Sequence, residues 1–415
     1  MLDDPDNVVL FMTTICMASV LWLGATVLVS RRNFPDATIR IVLPIAIAMR
    51  LITFATPPLL STDIYRYVWD GRVQLAGINP YRFIPDAPQL AFLRDATVFP
   101  SINRADYAHT IYPPAAETIY AIAAAVAPGV YGMKAAMAGF DILAVACLSA
   151  LLRDIHRSRA ALLIYAWCPL PVWEFAGSGH IDAAAAGLLA LALLLAARGR
   201  HVPLGITLTL ATLTKFLPGV VLPAFWRPGR WRVLAAFVVT AMVLYLPYIG
   251  IGRRVLGFLP GYTTEEGLRT GQGIFLLDVL SRIVPMPAWT SAVYFVTVLT
   301  ILAALACRFA FVSDAPEGPE QRARQAGVLG AVLLVAVSPH YPWYFGWLAP
   351  LACLAPLASV LWLLAAAPLL AHGSTEYLFV PATVYVPAAA LAVRDLHKSR
   401  NATKSIIATV SGDGR

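Results

Sequence analysis

One short stretch directly after an apolar run carries most of the residues able to do chemistry. It reads Ser61-Thr62-Asp63-Ile64-Tyr65-Arg66-Tyr67-Val68-Trp69-Asp70-Gly71-Arg72. A carboxylate at the mouth of an apolar segment, walled by Tyr and Trp, can have its pKa raised and serve as a general base. Arg66 and Arg72 carry guanidinium forks that suit phosphate. An interfacial aromatic belt with snorkelling Arg side chains is the alternative reading of the same run. Downstream come Gly77-Ile78-Asn79-Pro80-Tyr81, then Asn103, Asp106, His109 and Tyr112-Pro113-Pro114, then Glu117. On one surface, Asp63, Asp70, Asp106, His109 and Glu117 would form an acid/base and sugar-hydroxyl-binding field.

Further places hold polar groups in or beside apolar sequence. Lys215 stands alone in the apolar stretch 203–226, where a cation is costly and by default functional; snorkelling to an interface is its other reading. His340-Tyr341-Pro342-Trp343-Tyr344 can stack on a sugar or form a belt. His180 and Asp182 follow Glu174 and the Gly177-Ser178-Gly179 turn. They read as donor or acceptor contacts, or as a structural His beside a Ser178 helix cap. Arg253-Arg254 suit lipid headgroups. Arg50 and Asp141, deepest in their apolar runs, are expected to pair.

The elements that position these residues follow from composition. The chain has 415 residues, 59% hydrophobic and 13% charged, with a mean hydropathy of +0.71. Soluble domains carry about 25% charged residues, so the class is an all-α polytopic membrane protein. Runs near 8–30, 38–58, 132–152, 160–176, 181–197, 233–251, 288–310 and 326–340 read as spans, and 341–393 divides into about three shorter helices. Most of the 31 Lys and Arg lie between spans on one side, as at Arg31-Arg32, Arg153 to Arg159 and Arg227 to Arg232. The net charge of +8 is therefore a topology signal, and nucleic-acid binding is not supported. Acidic Asp3, Asp4 and Asp6 before the first span predict an outside N-terminus and a cytoplasmic C-terminus.

Charge parity makes 112–128 a helix lying at the outer interface, with Pro113-Pro114 at its first turn. The same parity makes 203–226 a re-entrant hairpin with its apex at Thr214-Lys215-Phe216. About 11–13 membrane helices result, with a first outer loop at 59–131 carrying interfacial helices and a second at 252–287. Residues 1–394 read as one transmembrane domain and 395–415 as a basic cytoplasmic tail. The five Cys sit in apolar runs and suggest neither disulfides nor zinc. The acidic start lacks the basic region of a cleaved signal, so the first run reads as a permanent span. No Gly-rich phosphate fingerprint appears.

The ordered set Thr62-Asp63-Ile64, Trp69-Asp70-Gly71-Arg72, Gly77 to Tyr81 and Tyr112-Pro113-Pro114 resembles the first outer loop of GT-C-fold glycosyltransferases. It is most similar to bacterial family 87-type mannosyltransferases and, more distantly, to the catalytic subunit of the first GPI mannosyltransferase. Gly179 to Asp182, Leu213 to Pro218 and Ser338 to Tyr344 continue the resemblance to about residue 350.

The resemblance implies inverting transfer of a hexose, mannose by the closest similarity, from a polyprenyl-phosphate donor to a lipid or glycan acceptor. The reaction would occur on the extracytoplasmic face of the inner (plasma) membrane. Asp63 occupies the position of the family's proposed base. Tyr65 stands where the GPI enzyme has a second Asp, so no metal and no cofactor is expected. Lys215, His340, Arg66 and Arg72 are candidates for the donor phosphate. Asp70, His109, Tyr112 and Glu117 are candidates for sugar and acceptor contacts, as are His180, Asp182, Tyr341 and Trp343. A transporter of a lipid-linked glycan and a non-catalytic subunit of an envelope complex are the rival readings. A common outer cavity holding both Asp63 and Lys215 would favour the enzyme.

Overall fold

The computed structural model describes residues 5–58, 61–312, 318–372 and 378–412, and the regular elements among them are all helical. The principal helices are α1 (Pro5–Arg31), α2 (Ile39–Ala55), α3 (Asp63–Leu75), α4 (Pro114–Val126) and α5 (Val130–Asp154). They continue with α6 (Asp182–Ala197), α7 (His201–Lys215), α8 (Trp231–Tyr245) and α9 (Leu259–Glu265). The last four are α10 (Thr290–Cys307), α11 (Pro319–Val337), α12 (Ala358–Ala366) and α13 (Phe379–Gly412). Asp3 and Asp4 lie outside the described residues.

Six helical stretches among these residues are long and apolar enough to cross a bilayer. They are Val9–Arg31, Asp36–Ala55, Val130–Asp154, Trp231–Glu265, Thr290–Phe311 and Phe379–His397. The predicted span at 160–176 is two helical pieces, Arg159–Ala166 and Pro169–Gly177, bent by 57°. Pro169 and Pro171 account for the break, because neither can donate a backbone N–H to a continuing helix. Stretches Pro114–Val126, Asp182–Ala197 and Ala358–Ala371 are apolar but shorter. The chain is thus an all-α, multi-pass membrane protein.

α4 has 13 residues, rising about 20 Å against a hydrocarbon core of about 30 Å, too short to span upright. The 203–226 segment runs up as α7, turns at Phe216, and returns through Leu217–Val221 and Leu222–Phe225. Its apex is at Lys215-Phe216, as the charge parity predicts.

Burial sorts the helices. α6, rich in Ala and Leu, is enclosed along most of its length between α5 and α7. Small residues permit that close approach, which in lipid replaces the hydrophobic drive between helices. On α8 and α10 the large side chains Val239, Met242, Val296 and Leu299 stand exposed, the pattern of a lipid-facing surface. Arg50 and Asp141 form the ion pair their depth predicts. Arg50 Nε and Nη2 donate to Asp141 at 2.5 and 3.2 Å, and the Tyr165 hydroxyl donates to the same carboxylate at 2.7 Å. The proposed domain boundary at 394 falls inside α13. Just beyond it, the Asp395 carboxylate accepts from the N–H and hydroxyl of Ser359 at 2.9 and 2.8 Å.

Candidate active site

α3 begins at Asp63, and the Asp63 N–H donates to Ser61 Oγ at 3.1 Å. A carboxylate in the first turn is favoured by the positive end of the helix dipole. Asn103 Nδ2 donates to Asp63 Oδ1 at 2.9 Å and so orients the carboxylate from the loop between α3 and α4. α3 lies tight on α4 because residue 71 is Gly: a Cβ there would meet the Tyr120 carbonyl oxygen at 2.5 Å. That approach lets Tyr67 stack on Tyr120, with ring centres 4.6 Å apart, and meet Tyr112 edge-on at 5.0 Å. Beyond their area, such aromatic pairs are worth about 0.5–1.5 kcal/mol each.

Beneath Asp63 runs a buried polar network. Arg66 Nε donates to both oxygens of Asp70 at 2.9 and 3.0 Å, and its Nη1 donates to the Ala108 carbonyl at 3.1 Å. Glu117 accepts from the Thr110 hydroxyl at 2.7 Å and from Gln74 Nε2 at 2.9 Å. Burial, and then the neighbouring Asp70 carboxylate, raise the Glu117 carboxyl well above its ordinary range. Burial likewise raises Asp70, against the pull of Arg66. Both carboxyl groups are thus pushed toward their neutral forms. Burial, reinforced by Arg66 and Arg254, lowers His109, which favours its neutral form.

Lys215 ends α7, and its Nζ donates to Asp182 Oδ2 at 2.7 Å. The same Nζ sits 4.0 Å from the centre of the Tyr344 ring. His340 lies just past the end of α11, where Ser338 adopts the left-handed conformation (φ 45°). Its Nδ1 is 3.3 Å from Oε2 of Glu266, in the 252–287 loop. That loop is fastened across the site. Arg104 Nε donates to Glu265 at 2.7 Å, the hydroxyls of Tyr262 and Tyr344 are 2.7 Å apart, and the Phe258 N–H donates to the Thr110 carbonyl at 3.0 Å.

These groups converge on one cavity of about 530 Å³. Asp63, Arg66 and His109 line one part of it, and Lys215, Glu266 and His340 line another. Tyr341, Trp343 and Tyr344 supply stacked aromatic faces, with the Tyr341 and Trp343 ring centres 4.8 Å apart. The Arg66 Nη2 group is buried without a hydrogen-bond partner. Carboxylate, cations and ring faces in one recess can bind a sugar, hold an anion and remove a proton. Among the described residues, no three His, Cys, Asp or Glu side chains come together as metal ligands.

The family model for the alpha-(1->6)-mannopyranosyltransferase N-terminal domain matches residues 4–227, more than half of the chain. The chain belongs to this mannosyltransferase family. Alpha-(1->6)-mannopyranosyltransferase A of Mycobacterium tuberculosis is 26% identical, the alignment covering 84% of this chain and 71% of that protein. No solved structure matches. The family-87-like mannosyltransferase resemblance of the motifs agrees with this membership, and the chain is a hexosyltransferase.

Within this mannosyltransferase, the candidate residues separate into two layers. Asp63, Arg66, His109, Tyr112, Lys215, His340, Tyr341 and Trp343 line the cavity. Arg72 does not: its guanidinium pairs with Asp95 on the flank of the first loop. Burial works against the Asp95 charge, but N–H groups of Val98, Thr97 and Phe99 and the Arg72 guanidinium outweigh it, holding the carboxyl at about 2.

Asp70 and Glu117 lie behind the cavity wall in the Arg66 network, and neither lines the recess. His180 is enclosed too, with Nδ1 2.8 Å from Glu174 and its ring stacked on Trp343 at 4.3 Å. Asp182 is covered by Lys215. The cavity also contains Asn103, Arg104, Tyr262 and Glu266, which the candidate set omits. Asn103 stands in the quoted loop motif. Glu266 carries no spacing signal, because an acid in a polar loop looks the same whether solvated or paired.

Proposed function

We propose that this mannosyltransferase uses a polyprenyl-phosphate mannose donor and forms an α-(1→6) linkage by inversion on the extracytoplasmic face of the inner membrane, with the N-terminus outside. The presence of Asp63, Lys215 and His340 in one cavity is the observation that carries the reading. Asp63, oriented by Asn103, takes the proton of the acceptor hydroxyl as its oxygen attacks the anomeric carbon. The bond from that carbon to the donor phosphate breaks, and the departing electron pair stays on the phosphate oxygen. An α product formed by inversion requires a β-linked donor.

A phosphate monoester leaves readily, so the chain's task is to stabilise its charge rather than to protonate it. Lys215 and His340 serve that role, with the Arg66 guanidinium in the wall of the same recess. Tyr341 offers a ring face to the sugar, backed by Trp343, which stacks on both Tyr341 and His180, and His109 and Tyr112 offer hydroxyl contacts. Asp70, Glu117 and His180 act from behind the wall, fixing Arg66 and Trp343. The lipid or glycan acceptor enters the same cavity. Residues 1–394 act as one GT-C-like unit and 395–415 as its cytoplasmic end.

The test is transfer by the full chain in proteoliposomes supplied with polyprenyl-phosphate mannose and a mannoside acceptor. Mannose incorporated through a new α-(1→6) linkage is expected, and Asp63→Asn is expected to remove it. Wild-type transfer by Asp63→Asn overturns the base assignment. Movement of intact lipid-linked glycan across the membrane without transfer would favour the transporter instead.

A further inference from the structure

We propose that Asp182 is not a sugar contact but the positioning residue for Lys215, fixing its ammonium at the cavity wall where it meets the donor phosphate. The proposal rests on the reading of Lys215 as a phosphate contact and extends it to a residue that substrate does not reach. Asp182 is 0% exposed and is absent from the cavity lining, whereas Lys215 lines the cavity. The two are joined by the 2.7 Å bond from Nζ to Oδ2.

Three features converge on that bond. Asp182 opens α6, a 16-residue helix whose N-terminal dipole favours a carboxylate there. Its entry is set by Gly179 (φ +72°), where a Cβ would meet Ile64 Cδ1 at 2.6 Å and Lys134 Cγ at 3.1 Å. Glycine suits this turn, because the positive φ and the close approach of Ile64 and Lys134 leave little room for a side chain.

From the other side, Lys215 is the last residue of α7, and Phe216 adopts φ 60° and ψ −45°. Non-glycine residues rarely occupy that region, and such strain concentrates where the backbone must aim a functional side chain. The Tyr344 ring lies 4.0 Å from Nζ, so the ammonium is held by a carboxylate and seated on an aromatic face. An ammonium has three N–H groups, and one is taken by Asp182. The others remain for a phosphate. In an apolar wall, an ammonium without its carboxylate would lose both its counter-charge and its orientation.

The test is a binding cycle with farnesyl phosphate as probe and farnesol as its uncharged control, on the full chain in nanodiscs. Lys215→Met and Asp182→Asn are each expected to weaken farnesyl phosphate binding about tenfold and to leave farnesol unchanged. The double variant is expected to bind no more weakly than Lys215→Met alone. Should Asp182→Asn fail to fold, Asp182→Glu keeps the charge but displaces it by one methylene. It should weaken farnesyl phosphate binding only where Lys215 is present. An equal loss from either Asp182 variant with and without Lys215→Met overturns the proposal. Wild-type binding by Lys215→Met overturns it as well, and takes the phosphate reading of Lys215 with it.

Discussion

Asn103 Nδ2 reaches Asp63 Oδ1 at 2.9 Å, so a residue late in the loop between α3 and α4 orients the carboxylate that opens α3. A base held by one oxygen keeps the other for a proton. Asp63→Asn should lower kcat by at least about a hundredfold, the contribution of general base catalysis, with little change in melting temperature. Asn103→Ala should retain the base but lose its orientation, lowering kcat about tenfold, or ~1.4 kcal/mol in barrier height. Transfer kinetics in proteoliposomes check both. A loss in Asn103→Ala confined to KM would contradict the orienting role.

Gly71 sets the distance between α3 and α4. Gly71→Ala places a methyl group 2.5 Å from the Tyr120 carbonyl, and backbone cannot yield as a flexible side chain can. The expected cost is about 1–3 kcal/mol of stability, typical of overpacking. Activity should fall with it, since α3 carries Asp63. Thermal unfolding in detergent measures the first effect; unchanged melting would show that the helices can move apart freely.

The Arg50–Asp141 pair is enclosed and also receives the Tyr165 hydroxyl. Removing one partner leaves an uncompensated charge, so Asp141→Leu should destabilise by about 3–5 kcal/mol. Adding Arg50→Met should recover much of that loss, because two apolar side chains need no partner. Comparing the single and double variants by melting temperature reads the coupling. Equal stability of the two would contradict the pairing.

Glu117 supplies a pH dependence of known sign. Burial and the adjacent Asp70 raise its carboxyl well above the ordinary 4.5, so the folded chain binds this proton more tightly than the unfolded one. Its contribution is fully present below pH 4.5 and is lost as pH rises through the elevated folded value. The melting temperature should therefore decline as pH increases above about 5. Glu117→Gln, which stays neutral, should flatten that decline. A slope identical to wild type would mean the proton resides elsewhere.

The sequence makes the residues beside or inside apolar runs conspicuous. Asp63, Lys215 and His340 stand out because an ionisable group near hydrocarbon is costly and seldom incidental. The same reasoning identifies Arg50 and Asp141 as partners, since these are the ionisable residues deepest in their spans. It fails for Arg72: six positions from Arg66 turn about 240° around a helix, so the two guanidinium groups face different surroundings. It also passes over Glu266, whose role depends on a loop folding back across His340.

Composition and hydropathy determine a multi-pass helical membrane protein, and the ordered motifs mark it as a mannosyltransferase. These are local properties, because each span or loop answers to the solvent beside it. Which polar residues line the cavity was decided only by the tertiary structure. Asp70 and Glu117 share the chemistry of Asp63, yet they are bonded behind the cavity wall to Arg66 and Thr110, as His180 Nδ1 is to Glu174. A buried polar group gains from a partner, and which one it meets depends on what the packing of distant segments brings within about 3 Å of it.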